Sequence, residues 1–204
     1  MHVSHSLRRA TLFLLILWST PLILSAASLS GCAEKKAHLL STFERGIASI
    51  RRRITEVETE VVLSPATKAN FTQEGEWLIA WMQDQSERID SLPDCVELPT
   101  LAENALLQVS PVEKASRMMD ATKLLWEVDR LSEHVRAALA PSSISAEMRQ
   151  DLSDALTKLG DARTIFLTLS EDPGKASEFS PQMRQGIFLI RQSLRPMRFH
   201  GILD

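Results

Sequence analysis

The side chains best suited to chemistry in this sequence belong to two cysteines, Cys32 and Cys95, and a few scattered histidines. A thiolate is a nucleophile and a metal ligand, and an imidazole is the usual acid–base group near neutral pH. The sequence contains no nucleophile elbow, phosphate-binding loop, zincin motif or paired-cysteine metal motif. Glu133 and His134 are adjacent and therefore lie on different faces of a helix, unlike a Glu-x-x-His metal site. We predict that the protein is not an enzyme and holds no metal.

Cys32 stands just after a long apolar segment near the start of the chain. The first nine residues include two arginines and no acid, and residues 10–29 carry no charge. A basic start followed by apolar and then small residues is typical of a secretory signal peptide. An uncleaved membrane anchor is the alternative, but Pro21 and the small, polar residues 25–28 disfavour it because a stable span needs about 20 strongly apolar residues.

The tetrapeptide Leu29-Ser30-Gly31-Cys32 resembles the lipobox of bacterial lipoproteins, in which an aliphatic residue and two small residues precede a cysteine. The resemblance implies a diacylglycerol joined to the Cys32 sulfur by a thioether, cleavage before Cys32 and, usually, acylation of the new amino terminus. Two or three acyl chains anchor stably, at about 0.8 kcal/mol per buried CH₂. The resemblance further implies a periplasm-facing position in the bacterial envelope, and Ala33 after the cysteine favours the outer membrane. The only expected cofactor is therefore this covalent lipid.

Removal of residues 1–31 would make the chain more acidic. It takes away two of the 23 basic residues and none of the 26 acidic ones, so the net charge changes from −3 to −5. No nucleic acid partner is expected for such a chain. With Cys32 lipidated, Cys95 would be the only thiol and could form no internal disulfide. We expect it to be buried as a small hydrophobic residue or paired with another chain in an intermolecular disulfide.

The rest of the sequence predicts an all-α protein, an up-down antiparallel bundle of four long helices plus shorter ones. Apolar residues recur at alternating spacings of three and four in two segments, which predicts a heptad seam on the first and the fourth long helix. The first seam is Leu40, Phe43, Ile47, Ile50, Ile54, Val57 and Val61, and the second is Met148, Leu152, Ala155, Leu159, Ala162, Phe166 and Leu169. The predicted organisation is a signal peptide over 1–31, a lipidated tether over 32–39, a bundle domain over 40–194 and a tail over 195–204.

Serine–proline pairs predict where three of the helices begin. Serine caps a helix N-terminus and proline fits the first helical position, where its missing N–H is no loss. Ser64-Pro65 predicts a second helix over about 66–91, and Ser110-Pro111 predicts that a third starts there after a separate short helix over about 100–109. Ser180-Pro181 predicts a fifth helix that ends near Leu194, before Pro196.

Two tryptophans are candidate contacts for a partner or a ligand. Trp77 and Trp81 are one turn apart on the second helix, so they could line a small-molecule pocket or form a hot spot for a partner. Packing in the core is the commoner fate of such a pair.

Four charged residues near the end of the first helix are further candidates. Arg51, Arg53, Glu58 and Glu60 flank the apolar seam at positions that set partner choice in coiled coils. The alternative is a solvated polar face in which Arg52 and Glu56 form an ordinary helix-surface pair.

Taken together, these features favour a membrane-anchored, non-enzymatic interaction or adaptor module with an envelope protein as partner, in an envelope or secretion-type assembly. One alternative is a small-molecule-binding or sensing bundle with Trp126 as a third aromatic residue. An immunity or inhibitor lipoprotein is another, and a haem-binding bundle is the last. The haem ligands would come from His38, His200, Met183 and Met197.

Overall fold

The computed structural model describes residues 31–174 and 176–203, so all of the predicted signal peptide except Gly31, including Leu29 and Ser30, lies outside the described residues. The described residues form helices without any β-strand, which confirms the all-α prediction. The five helices are α1 (Cys32–Thr59), α2 (Pro65–Ser91), α3 (Leu98–Leu139), α4 (Ala146–Glu171) and α5 (Ala176–Phe199).

The described helices divide into two compact units. The N-terminal unit (residues 31–115) contains α1, α2 and the first part of α3, and the C-terminal unit (residues 116–203) contains the rest of α3, α4 and α5. The sequence predicts one bundle over 40–194, whereas these residues form two units that share α3.

In the N-terminal unit, α1 packs antiparallel against α2 through a close approach at Gly75. A Cβ on Gly75 would lie 2.9 Å from Ile54 Cδ1, so the absence of a side chain lets α1 come near. The rings of Phe43 and Trp81 are 6.1 Å apart between centroids. Ser64 caps α2 as predicted, because its side chain accepts a hydrogen bond from the Thr67 amide.

Both ends of α1 differ from the predicted helix. Residues 32–39, predicted as a tether, are the first two turns of α1, and Leu39 is buried. Because α1 ends at Thr59, the last predicted seam residue, Val61, falls outside the helix and is 87% exposed. Leu63 is buried there instead.

The third helix is longer than the serine–proline pair predicts. Ser110-Pro111 does not start a helix, because α3 runs without interruption from Leu98 to Leu139 with Pro111 inside it. A proline within a helix removes one main-chain hydrogen bond and costs about 3 kcal/mol or more. Burial of apolar side chains on both sides of Pro111 offsets that cost. They are Leu101, Ala105, Val112 and Met119.

In the C-terminal unit, six of the seven residues of the predicted α4 seam form a core face that packs against α5, and the first, Met148, is half-buried. Leu152, Ala155, Leu159, Ala162, Phe166 and Leu169 are all buried. The Phe166 ring fills the space that Gly186 leaves open on α5, where a Cβ would be 2.5 Å from Phe166 Cζ. Asp151 on α4 contacts His200 just after α5, so these two helices are also antiparallel.

The predicted tail over 195–204 is partly helical. α5 begins at Ala176 and ends at Phe199, with Pro181 and Pro196 inside it. Burial of Met197 in the core stabilises the helix beyond Pro196. The helix then closes with a Schellman motif: Gly201 has a φ of 67°, and the amide of Ile202 donates to the Met197 carbonyl over 2.8 Å.

Candidate functional site

Cys32 and Cys95 are brought together at one end of the N-terminal unit. α1 begins at Cys32, and the antiparallel α2 returns the chain to the same end, where Cys95 lies in the loop before α3. Their sulfurs form a disulfide across a Cα–Cα distance of 5.6 Å. The ammonium of Lys36 donates to the Leu92 carbonyl and fastens the loop to α1 a second time.

This pairing corrects the expectation for Cys95. The sequence predicts either a buried thiol or an intermolecular disulfide, but the structure pairs Cys95 within its own chain. Position 95 is 63 residues from Cys32 along the chain, so only the helical hairpin of α1 and α2 brings them within reach. A sulfur in a disulfide cannot at the same time hold a thioether, so disulfide and lipid are exclusive at Cys32. Lipidation of Cys32 stays a prediction.

The backbone before Cys32 is extended and then turns directly into a helix. Gly31 is the N-cap residue of α1, with φ −124° and ψ 152°, and its carbonyl accepts the amide of Lys35 over 3.1 Å. Cys32 itself is exposed. The predicted modification site therefore lies at the start of an ordered helix.

Two contacts of the charged residues near the end of α1 are defined, one within the helix and one from α2. Arg53 forms an ion pair with Glu56 at 3.4 Å, so Glu56 pairs with Arg53 and not with Arg52. Lys68 donates to the main-chain carbonyl of Glu58 rather than to its carboxylate.

Arg51 and Glu60, the first and last residues of this cluster, have different surroundings. Arg51 is exposed on the outer side of α1. Glu60 is the C-cap residue, and its carboxylate accepts the amide of Val61 over 3.1 Å. Together with Arg53 and Glu58, these residues form the polar end of α1, and their role in partner choice stays a prediction.

The three candidate tryptophans differ in their surroundings. Trp81 is half-buried against Phe43, whereas Trp77 is 54% exposed. Trp126 belongs to the other unit and is covered on one face by the Arg130 guanidinium, 5.7 Å from the ring centroid. Trp81 therefore packs at the edge of the core, and Trp77 is a surface residue of α2.

The residues of the haem alternative are placed in unlike environments. His200 Nε2 lies 2.9 Å from Asp151 Oδ2, and Met183 and Met197 are buried in the C-terminal unit. His38 is half-buried in α1 of the N-terminal unit. In the part of the chain that the structure describes, no three His, Cys, Asp or Glu side chains form a group suited to a metal ion.

Sequence reasoning missed one surface, the outer face of α5. Arginines and two phenylalanines line this exposed side along the helix, and we call them the α5 stripe. Its members are Arg184, Phe188, Arg191, Arg195, Arg198 and Phe199. Their spacings of three and four are visible in the sequence, but a helix that ends at Leu194 cuts the pattern short.

No family model matches this chain, and no curated protein or solved structure shows significant similarity to it. Of the helices formed by residues 31–174 and 176–203, none is long and apolar enough to cross a bilayer.

Proposed function

We propose that this protein is an envelope lipoprotein that is anchored through acyl chains on Cys32 and acts as a non-enzymatic adaptor for an envelope assembly. The observation that carries the proposal is the tetrapeptide ending at Cys32, which closes a segment with a basic start and an uncharged apolar core.

The disulfide supports a location outside the cytoplasm, and it does so independently of the lipid. Disulfides persist in oxidising compartments such as the bacterial periplasm and are rare in the cytosol. A Cys32–Cys95 bond in the lipid-free chain therefore fits an exported protein, just as a lipidated Cys32 does. Both fates of the cysteine favour a location outside the cytoplasm.

Anchoring at Cys32 would hold the N-terminal unit against the bilayer. A tether over 32–39 could extend by about 3.3–3.6 Å per residue, but these residues are helical and Leu39 is already in the core. The proposed lipidation residue is thus itself the first residue of α1. Such an adaptor would engage its partner close to the membrane surface.

The order of two reactions decides which form of Cys32 accumulates. In the lipid reaction, the Cys32 thiolate attacks the glyceryl carbon of a phospholipid, the headgroup phosphate leaves, and the Cys95 thiol is left free. In the oxidation, both thiols give up their protons and two electrons to a disulfide-carrying oxidase. We propose that lipid transfer comes first, while the newly exported chain is still unfolded.

Intact-mass spectrometry of the full chain produced in a bacterium tests the anchor. We expect the wild-type protein and Cys95→Ser to carry the added mass of acyl chains and to fractionate with membranes. Cys32→Ser should lose both properties. Cys95→Ser is the matched control, because it removes the same disulfide and leaves the lipidation residue in place.

A wild-type protein with a Cys32–Cys95 bond and no lipid mass would contradict the lipoprotein proposal. That result would favour an exported, disulfide-closed protein, the second candidate, which the observed disulfide supports.

The adaptor role is supported by apolar side chains that lie open to solvent in both units. They are Val61, Trp77, Val96, Leu107, Phe188 and Phe199. Exposed aromatic and aliphatic side chains are typical of surfaces that bind other proteins. Affinity capture from solubilised membranes should yield a stoichiometric partner. A tryptophan fluorescence response to small molecules without any protein partner would support the sensing alternative instead.

A further inference from the structure

The α5 stripe and the buried side of α5 occupy separate faces of one helix. At 100° per residue, the six stripe residues fall within an arc of about 100°. The core side chains fall in a second arc, centred about a third of a turn from the first: Met183, Ile187, Ile190, Leu194 and Met197. Phe188 is 57% exposed and Phe199 is 79% exposed. Packing of the C-terminal unit therefore leaves two aromatic rings and four guanidinium groups on an outer surface.

The charge of the stripe is opposite to that of the whole chain. α5 contains four arginines and only one acid, Glu178, which lies in its first turn, away from the arginines. The chain as a whole has a net charge of −3. An arginine guanidinium matches a carboxylate with two parallel hydrogen bonds, and phenylalanine adds apolar contact area. The stripe thus has the chemistry to bind a ligand that is both acidic and apolar.

An anionic bilayer and an acidic helix both have this chemistry, and the surroundings of the stripe favour the helix. α4 packs against α5 and carries five acidic and three basic side chains, so its net negative charge disfavours approach to an anionic bilayer. A partner helix, by contrast, needs only a narrow strip of surface for its contacts. Alternating spacings of four and three from Arg184 through Arg198 are those by which two helices pack along a seam.

We propose that the α5 stripe docks an acidic amphipathic helix of a partner protein. Its carboxylates pair with the arginines, and its apolar residues contact Phe188 and Phe199. This inference rests on the proposed adaptor function, for which it names the class of partner. It depends on the C-terminal unit alone and not on the lipid.

The test uses the full chain in detergent micelles and two labelled synthetic peptides of about three heptads. One peptide has leucine at its core positions and glutamate beside them, and the other has the same composition in shuffled order. Fluorescence anisotropy should show tighter binding of the amphipathic peptide than of the shuffled one. Arg195→Glu and Phe188→Ala should each weaken that binding about tenfold or more.

Matched controls separate the stripe from charge and hydrophobicity in general. Arg136→Glu reverses an exposed arginine on α3, and Leu106→Ala removes an exposed apolar side chain from the same helix, so both should bind like the wild type. Circular dichroism should show that each variant keeps its helices. Cys32→Ser should bind the peptide normally, so loss of the anchor and loss of the stripe can be told apart.

Equal binding of the shuffled peptide would overturn the proposal, as would binding that Arg195→Glu leaves unchanged. The same holds if vesicles containing phosphatidylglycerol bind through these arginines while the amphipathic peptide does not bind.

Discussion

The apolar seams of α1 and α4 have the same heptad spacing but are covered to different degrees. In α4, the seam from Leu152 to Leu169 is between 0% and 2% exposed. In α1, Phe43 and Val57 are equally well buried and Ile54 is 9% exposed, whereas Leu40, Ile47 and Ile50 are only half-buried. Spacing therefore identifies which face of a helix is apolar, but the neighbouring helices decide how much of that face is removed from water.

The size of the residues at the contact explains part of this difference. The seam of α4 includes Ala155 and Ala162, whose small side chains let a neighbouring helix come near, and α5 offers Gly186 opposite Phe166. The seam of α1 consists of larger residues, and two glycines beside it allow close contact with α2, Gly75 against Ile54 and Gly46 against Met82. Large and small residues that alternate across facing positions pack more completely.

The largest expected effect on the free energy of unfolding concerns a leucine of α4, which we compare with an isoleucine of α1. Leu159→Ala should lower the free energy of unfolding by about 2–5 kcal/mol, because it leaves a cavity in a fully buried layer. Ile47→Ala should cost about 1 kcal/mol, because its side chain already contacts water. Urea unfolding of the full chain, followed by circular dichroism, measures both values. Equal losses would show that the α1 seam is as well covered as that of α4.

A smaller effect is expected at the two glycines where helices come close. Gly186→Ala should destabilise by about 2–3 kcal/mol, because its new methyl group would meet the stiff ring of Phe166. Gly75→Ala should cost about 1 kcal/mol, since the side chain of Ile54 can rotate aside.

The double variant Gly186→Ala with Phe166→Leu provides the control for this pair in thermal unfolding. It should be more stable than the sum of the two single changes predicts. Strict additivity would mean that the contact between these two residues does not cause the loss.

The smallest expected effect on stability concerns the C-terminal ends of α1 and α5. Gly201→Ala should cost about 1–2 kcal/mol, because the Schellman motif requires a positive φ that alanine adopts poorly. Glu60→Ala, at the extended end of α1, should change stability by less than about 0.5 kcal/mol. Thermal unfolding of both variants measures the difference, and a larger loss at Glu60 would contradict this account of the two helix ends.

The sequence predicts features that depend on local spacing and fails where distant contacts decide. The bounds of α2, its Ser64 cap and the α4 seam follow from residues a few positions apart. The continuity of α3 through Pro111 depends on tertiary burial, which outweighs the loss of one hydrogen bond. The two tryptophans of α2 are a second example. Trp77 and Trp81 are one turn apart, but tertiary contacts half-bury Trp81 and leave Trp77 exposed.

Cys95 is the clearest case of a contact that local reasoning cannot reach. Its partner is 63 residues away, and the pairing depends on the lengths of two whole helices. The α5 stripe was missed for a related reason. Pro196 by itself predicts the end of a helix, but burial of Met197 in the core keeps the chain helical to Phe199.

The shared helix α3 has a consequence for how the chain folds. Starting a helix is slow and unfavourable, whereas lengthening an existing one adds a hydrogen bond with each residue. Since α3 spans 42 residues and contributes to both units, a first turn formed in one unit can lengthen into the other. Pro111 is the position where this growth loses a bond. We therefore expect the amides before and after Pro111 to exchange their hydrogens with water at different rates.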